Sequence, residues 1–192
     1  MNIFILDKDP VIAAQLQCDK HVPKMVVESA QMLSTAHRVL DGKLMRKPSK
    51  SGKTMVKYWD LYEGADDLEA ELLYYKAVHV GHPCTVWTME SNSNYNWHYQ
   101  HFIALCEEYT YRYGKVHKTA RVLGSALYST PRNIPKGPMT EFPLAMKSNP
   151  ECFFWGDPVK SYRAFYQTKQ DRFKMAWTKR PVPKWFMEKC NG

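Results

Sequence analysis

The chain has 192 residues, 44% hydrophobic and 14% aromatic, enough for one well-cored domain spanning residues 1–192 and too apolar for a disordered linker. Its formal charge of +8 favours a polyanionic partner gripped through phosphates, with DNA ahead of RNA. There is no apolar run of the eighteen or so residues a membrane span needs, and MNIFILDKDP turns charged too early for a signal peptide, so a cytoplasmic protein without a membrane partner is expected.

Asn2 to Leu6 is short and apolar and reads as an extended arm laid on the core. Asp9-Pro10 then opens a helix, because the Asp carboxylate accepts from free amides and proline at the first helical position loses no hydrogen bond. Ile12, Ala13, Leu16, Met25, Val26, Leu33, Ala36 and Leu40 recur at helical spacing up to Asp41-Gly42. Pro23 interrupts this run, predicting either a kink or two helices meeting near residues 20 to 23. The element also carries Asp19, His21, Glu28, Gln31, Thr35, His37 and Arg38. If the helix is continuous, His21 and Glu28 share a face that Gln31 and Thr35 extend, as a titratable pair; alternatively Lys24 and Glu28 form an ordinary i,i+4 surface pair while the histidines donate to carbonyls inside a bundle. His37 reads as a core histidine bound to a carbonyl.

Lys43 to Lys57, KLMRKPSKSGKTMVK, reads as a mobile basic loop able to grip phosphates without reading bases. Its Ser51-Gly52-Lys53-Thr54 lacks the first glycine of a P-loop, Lys47 standing in that place, and no apolar strand precedes it. A helix is expected from Asp66, with Glu69 completing a capping box and Leu68, Leu72, Leu73, Ala77 and Val78 as its stripe, stopped by Gly81 and Pro83. His79, His82 and Cys84 resemble part of a metal site but lack a fourth ligand at usable spacing, so a buried turn is expected. The five cysteines, Cys18, Cys84, Cys106, Cys152 and Cys190, form no CxxC pair and suggest neither a disulfide framework nor zinc.

The most aromatic helix runs from about Asn94 to Tyr113, capped by Gly114. Trp97, His101, Glu108 and Arg112 share one of its faces, which would set His101 and Glu108 beside His21 and Glu28 in a polar seam. A short helix is expected over Thr119–Tyr128 within a proline-rich stretch, 115–157, that otherwise reads as a long wrapping loop. Asp157-Pro158 opens the last helix, where Tyr162, Tyr166, Phe173 and Trp177 mark one face among Lys169, Arg172 and Arg180. Such interleaving suits phosphates and unpaired bases. The fold class expected is mainly α: a helical bundle with an extended N-terminal segment and a long irregular loop before the C-terminal helix.

CDKHVPKM, AQMLSTAHRVLDG, HPCTVW, WHYQHFIALCEEYTYRYGK and TKRPVPKWF together resemble small proteins of tailed phages, especially cyanophages, over nearly the whole chain. More remotely, HRVLDGKLMRK, Glu107 to Gly114, and Lys179-Arg180-Pro181 with Trp185 resemble segments of the pyrimidine-dimer DNA glycosylase family, the endonuclease V of T-even phages. That resemblance implies a free N-terminal amine attacking the sugar C1′ to give a Schiff base, a first-helix glutamate assisting, and basic residues on phosphates. This chain departs from the family in starting Met1-Asn2 rather than with a threonine amine and in lacking an early first-helix glutamate, so Asp19, His21 or Glu28 would substitute.

The function expected is therefore a DNA glycosylase-like or base-modifying enzyme, in host cytoplasm if phage-encoded, needing no cofactor or metal. Its acid/base candidates are Asp19, His21, Glu28 and His101; Lys20, Lys24, Arg38, Lys43, Lys169, Arg172 and Arg180 are the phosphate candidates, with Trp177 for a base. The rivals are a non-catalytic DNA- or RNA-binding accessory protein and a metal-dependent hydrolase using His21, His37, His98 or His101 with Asp19.

Overall fold

In the computed structural model, which describes residues 1–187, the chain begins as an extended segment whose Ile3, Ile5 and Leu6 are fully buried. Asp9 then caps α1 (Pro10–Gln15), its carboxylate accepting from Val11 N at 2.7 Å and Ile12 N at 3.1 Å. The long N-terminal element is two helices, because α1 stops and α2 (His21–Asp41) starts afresh after the turn at Cys18–Lys20. Pro23 consequently stands in the first turn of α2, where its missing N–H has no partner to lose, and it does not kink the helix.

The basic stretch after Gly42 is an antiparallel hairpin rather than a mobile loop. β1 (Lys43–Pro48) pairs with β2 (Met55–Asp60) in a register that sets Lys43 opposite Asp60 and Pro48 opposite Met55. Most of its side chains are exposed, so neither face had to alternate apolar with polar, which is why the sequence pattern concealed it. The architecture is thus mainly helical, with one two-stranded sheet standing out from the helices.

Two short helices follow, α3 (Leu61–Ala65) and α4 (Leu68–Leu73). Asp67 rather than Asp66 caps α4, accepting from Ala70 N at 2.9 Å. α4 ends well before the expected Val78 because the Arg38 guanidinium of α2 takes the carbonyls of Glu71, Tyr74 and Tyr75 at 2.9, 3.0 and 2.7 Å. A buried cation here does what a glycine cap does elsewhere. Pro83 opens α5 (Pro83–Glu90) instead of closing the preceding helix, with His82 as N-cap. α6 (Asn92–Tyr113) matches expectation: Ser91 caps its start and Gly114, at φ 66°, its end. α7 (Lys118–Leu123) is shorter than expected, and α8 (Pro158–Gln167) opens on Asp157 but stops before Phe173 and Trp177. A 3-10 turn over Thr168–Asp171 and the short α9 (Lys184–Met187) complete the described chain.

α6 packs against α1, α2 and α5, and the N-terminal segment threads this core, so Ile3, Met25, Leu33, Trp87, Phe102 and Tyr166 belong to one apolar cluster. Cys18, Cys84 and Cys106 are buried within it, while Cys190 lies outside the described residues. No described helix is long and apolar enough to cross a membrane.

Candidate functional site at the amino terminus

The segment before α1 is shaped to place its own first residue. Asn2 Oδ1 accepts from the amides of Ile3 and Phe4 at 2.8 and 2.9 Å, and its Nδ2 donates to Ala145 O at 3.1 Å. Phe4 takes a left-handed backbone conformation, φ 56°, which a bulky residue adopts only when its surroundings impose it. The surroundings are His21, stacked on the Phe4 ring at 4.8 Å, and Tyr166, edge-on at 5.1 Å. The backbone so held points into α2: the Asn2 amide donates to Glu28 Oε2 at 3.0 Å, and the Met1 α-amino nitrogen lies 3.7 Å from the same oxygen. Glu28 Oε1 faces Lys24 Nζ at 3.5 Å, and its side chain is 14% exposed.

His21, Lys24 and Glu28 therefore do lie along one stripe of α2, but with unequal roles. Cys18 N donates to the Tyr166 hydroxyl at 2.9 Å, so that hydroxyl's proton points to His21 Nδ1, 2.7 Å away. Burial, then the charges of Lys24, Lys169 and Lys20, pull the His21 pKa down to about 4. At neutral pH His21 is uncharged and accepts from Tyr166, which makes it the residue that positions Phe4 rather than a proton donor. Glu28 keeps 14% of its side chain exposed and meets the amine of Met1, whose side chain is 3% exposed.

Cations gather around His21. Lys20 lies over the Phe173 ring at 4.3 Å and Lys169 over Phe165 at 3.4 Å. Lys169 is 8% exposed, and no carboxylate pairs with it among the described residues. Burial, with Arg172 next, lowers its pKa to about 8. Near Met1 stands His82, whose pKa is lowered by burial and then by the Met1 ammonium.

The other expected site residues are used elsewhere. Asp19 and Glu108 form a buried network: Arg112 bonds Glu108 at 2.6 Å and Asp19 at 2.9 Å, while Arg180 donates to Glu108 at 2.8 Å. Asp19 also accepts from Thr178 N at 2.9 Å, so this network ties the C-terminal segment to α6 and occupies Arg180. His101 is fully buried, stacked on Trp97 at 5.4 Å and bonded through Nε2 to Gln17 at 3.2 Å; burial lowers its pKa to about 3. The expected seam thus divides, with His21 and Glu28 on one side and Asp19 and Glu108 on another. Arg38 is fully buried in the α4 contacts above and does not reach solvent phosphates. Trp177 is also buried, donating to Leu16 O at 2.8 Å, so it offers no stacking face. Lys43 is exposed and lies 3.5 Å from Glu63.

The histidines of the metal reading separate likewise, since His37 bonds the Tyr95 hydroxyl at 2.8 Å and His98 meets Thr88 at 2.7 Å. No group of three or more potential ligands among the described residues could hold a metal. The sequence placed Tyr166 on an aromatic face and His82 in a buried turn without linking either to His21 or Met1, and it had no signal for Met1 meeting Glu28, since that contact joins residues 27 positions apart. No family model matches the chain, and comparison with curated proteins and with solved structures finds no similar one.

Proposed function

We propose that this protein acts on DNA as a glycosylase-like enzyme, with the Met1 amine as nucleophile and Glu28 as its acid/base partner. One observation carries the reading: the α-amino nitrogen lies 3.7 Å from Glu28 Oε2, with Lys24 Nζ 3.5 Å from the other carboxylate oxygen. In the reaction, Glu28 removes a proton from the ammonium. The neutral amine attacks C1′ while the bond to the base breaks and the base leaves with that electron pair. The secondary ammonium so formed gives up one of its two N–H protons to water, the freed electron pair makes the C=N bond as the bond from C1′ to the ring oxygen breaks, and Glu28 returns its proton to that oxygen, leaving a protonated Schiff base; the departed base takes its proton from water. The cations hold the flanking phosphates.

The test is borohydride trapping on labelled duplexes carrying a thymine dimer, an abasic site or no lesion, with base release followed in parallel. A covalent adduct is expected on one of them. Acetylating the amine, or adding one residue ahead of Met1, should abolish it, and Glu28→Gln should slow it by about 100-fold or more. Adduct formation indifferent to both changes would refute the assignment. The exposed basic hairpin favours a second reading, binding without chemistry: Arg46, Lys47, Lys50, Lys53 and Lys57 lie on it with no carboxylate between Lys43 and Trp59. Salt-sensitive binding with neither adduct nor base release would select it.

A further inference from the structure

Between the extended chain at residues 139–144 and the turn at residues 153–156 lies an open slot of about 640 Å³ with aromatic walls. Phe142 forms its back and is itself held by Trp87 and Trp97, with ring centroids at 5.2 and 5.0 Å. Opposite stand Phe153, Phe154 and Trp155, and the Trp155 ring is 85% exposed, the most exposed large apolar side chain among the described residues. Its indole borders the aromatic lining of the slot, so the bare ring and the cavity form one apolar surface.

The slot is preformed. Ser161 Oγ accepts from Phe154 N at 2.9 Å and donates to Asp157 O at 2.9 Å, tying the turn to the start of α8, and Gly156 supplies φ 78° where a side chain would be strained. Trp155 stands edge-on to Phe153 at 6.0 Å. The polar groups at the rim are Lys8 and Glu141 in the lining, with Lys160 placed over the Phe154 ring at 4.2 Å. The Lys8 backbone is held as well, since Trp97 Nε1 donates to its carbonyl at 2.8 Å, while its side chain is exposed.

We propose that this slot binds one unpaired nucleobase of a DNA strand. The base stacks on Trp155 and Phe154, its exocyclic amine donates to Glu141, and Lys8 and Lys160 meet the adjoining phosphates. Flat π faces, a carboxylate at the edge and cations at the rim are together the complement of a nucleotide, whereas an aliphatic peptide would use only the walls. The N-terminal segment ties this slot to the proposed amine site: Met1 and Lys8 are seven residues apart, at most about 25 Å along an extended chain. One strand can therefore engage both. This inference rests on the nucleic-acid reading above and adds to it the recognition of a displaced base.

Trp155→Ala and Trp155→Phe are compared with the unaltered protein for affinity toward a labelled single strand and toward an abasic strand with the same phosphates. Trp155→Ala should weaken single-strand binding about tenfold, Trp155→Phe should keep most of it, and abasic-strand binding should stay unchanged. All three proteins should melt at the same temperature, because the ring removed is exposed. An equal loss on both strands, or none on either, overturns the base site while leaving the amine site standing. If the unaltered protein binds neither strand nor a lesion duplex, the nucleic-acid reading falls together with the slot. Dissociation of an oligomer by Trp155→Ala would assign the slot to a second copy and also overturn it.

Discussion

Replacing Arg38 by Ala tests how much of the fold hangs on one buried cation. The guanidinium is 0% exposed and bonds the carbonyls of Trp59, Glu71, Tyr74 and Tyr75 as well as the Glu71 carboxylate. Removing it strands those acceptors and leaves Glu71 with Lys76 and the Leu61 amide. Breaking a buried pair of this kind costs about 3–5 kcal/mol, a large part of the roughly 5–15 kcal/mol that holds a domain together. The Glu71 carboxyl is held at about 2 against 4.5 unfolded, burial being outweighed by the bonds from Lys76, Leu61 N and Arg38, so removing Arg38 takes away part of that depression. At about 2–4 °C per kcal/mol for a chain of this length, thermal melts followed by circular dichroism should drop by about 6–20 °C. The hairpin and α4 should loosen first. Because Glu71 is depressed in the fold, its contribution is complete above pH 4.5 and lost as pH falls toward 2; without Arg38 that acid limb should flatten. A variant that melts within about 2 °C of the parent yet loses DNA affinity would refute this account and return Arg38 to the surface.

Acid should act on the buried histidines before it reaches Glu71. His21, His37 and His101 have folded pKa values of about 4, 4 and 3, below the 6.5 of the unfolded chain, so the stability they confer is complete above pH 6.5 and falls as pH drops through 4 and 3. Urea midpoints should therefore decline steadily from pH 7 to 4.5, and a flat profile would contradict the burial of these rings. Lys169 runs the same way at higher pH: its folded pKa of about 8 is below 10.5, so it disfavours the fold at neutral pH and ceases to do so above about 10.5. Lys169→Met should raise the melting temperature at pH 7 while weakening duplex binding; a lower melting temperature would show that the ammonium has a stabilising partner.

The helix boundaries that carry strong local caps were legible because capping is local. Asp9-Pro10, Asp157-Pro158 and the Gly114 cap each involve residues within one turn, and the structure has all three. Pro23 was legible only as a break, since two helices and a kink leave the same local pattern. The hairpin escaped because a ribbon exposed on both faces carries no apolar alternation to read. α4 was drawn too long because its stop is a cation from α2, remote in sequence.

For the site, the chain by itself determined which residues carry charge and chemistry, and spacing put His21, Lys24 and Glu28 on one helical stripe. Only the tertiary structure decided which of them is exposed, which is neutral and what each faces. Burial turned His21, His101, Arg38 and Trp177 inward, and the threading of the N-terminal segment brought the Met1 amine to Glu28. The physical reason is that helical periodicity fixes direction around an axis, whereas desolvation and charge pairing depend on what other segments pack there.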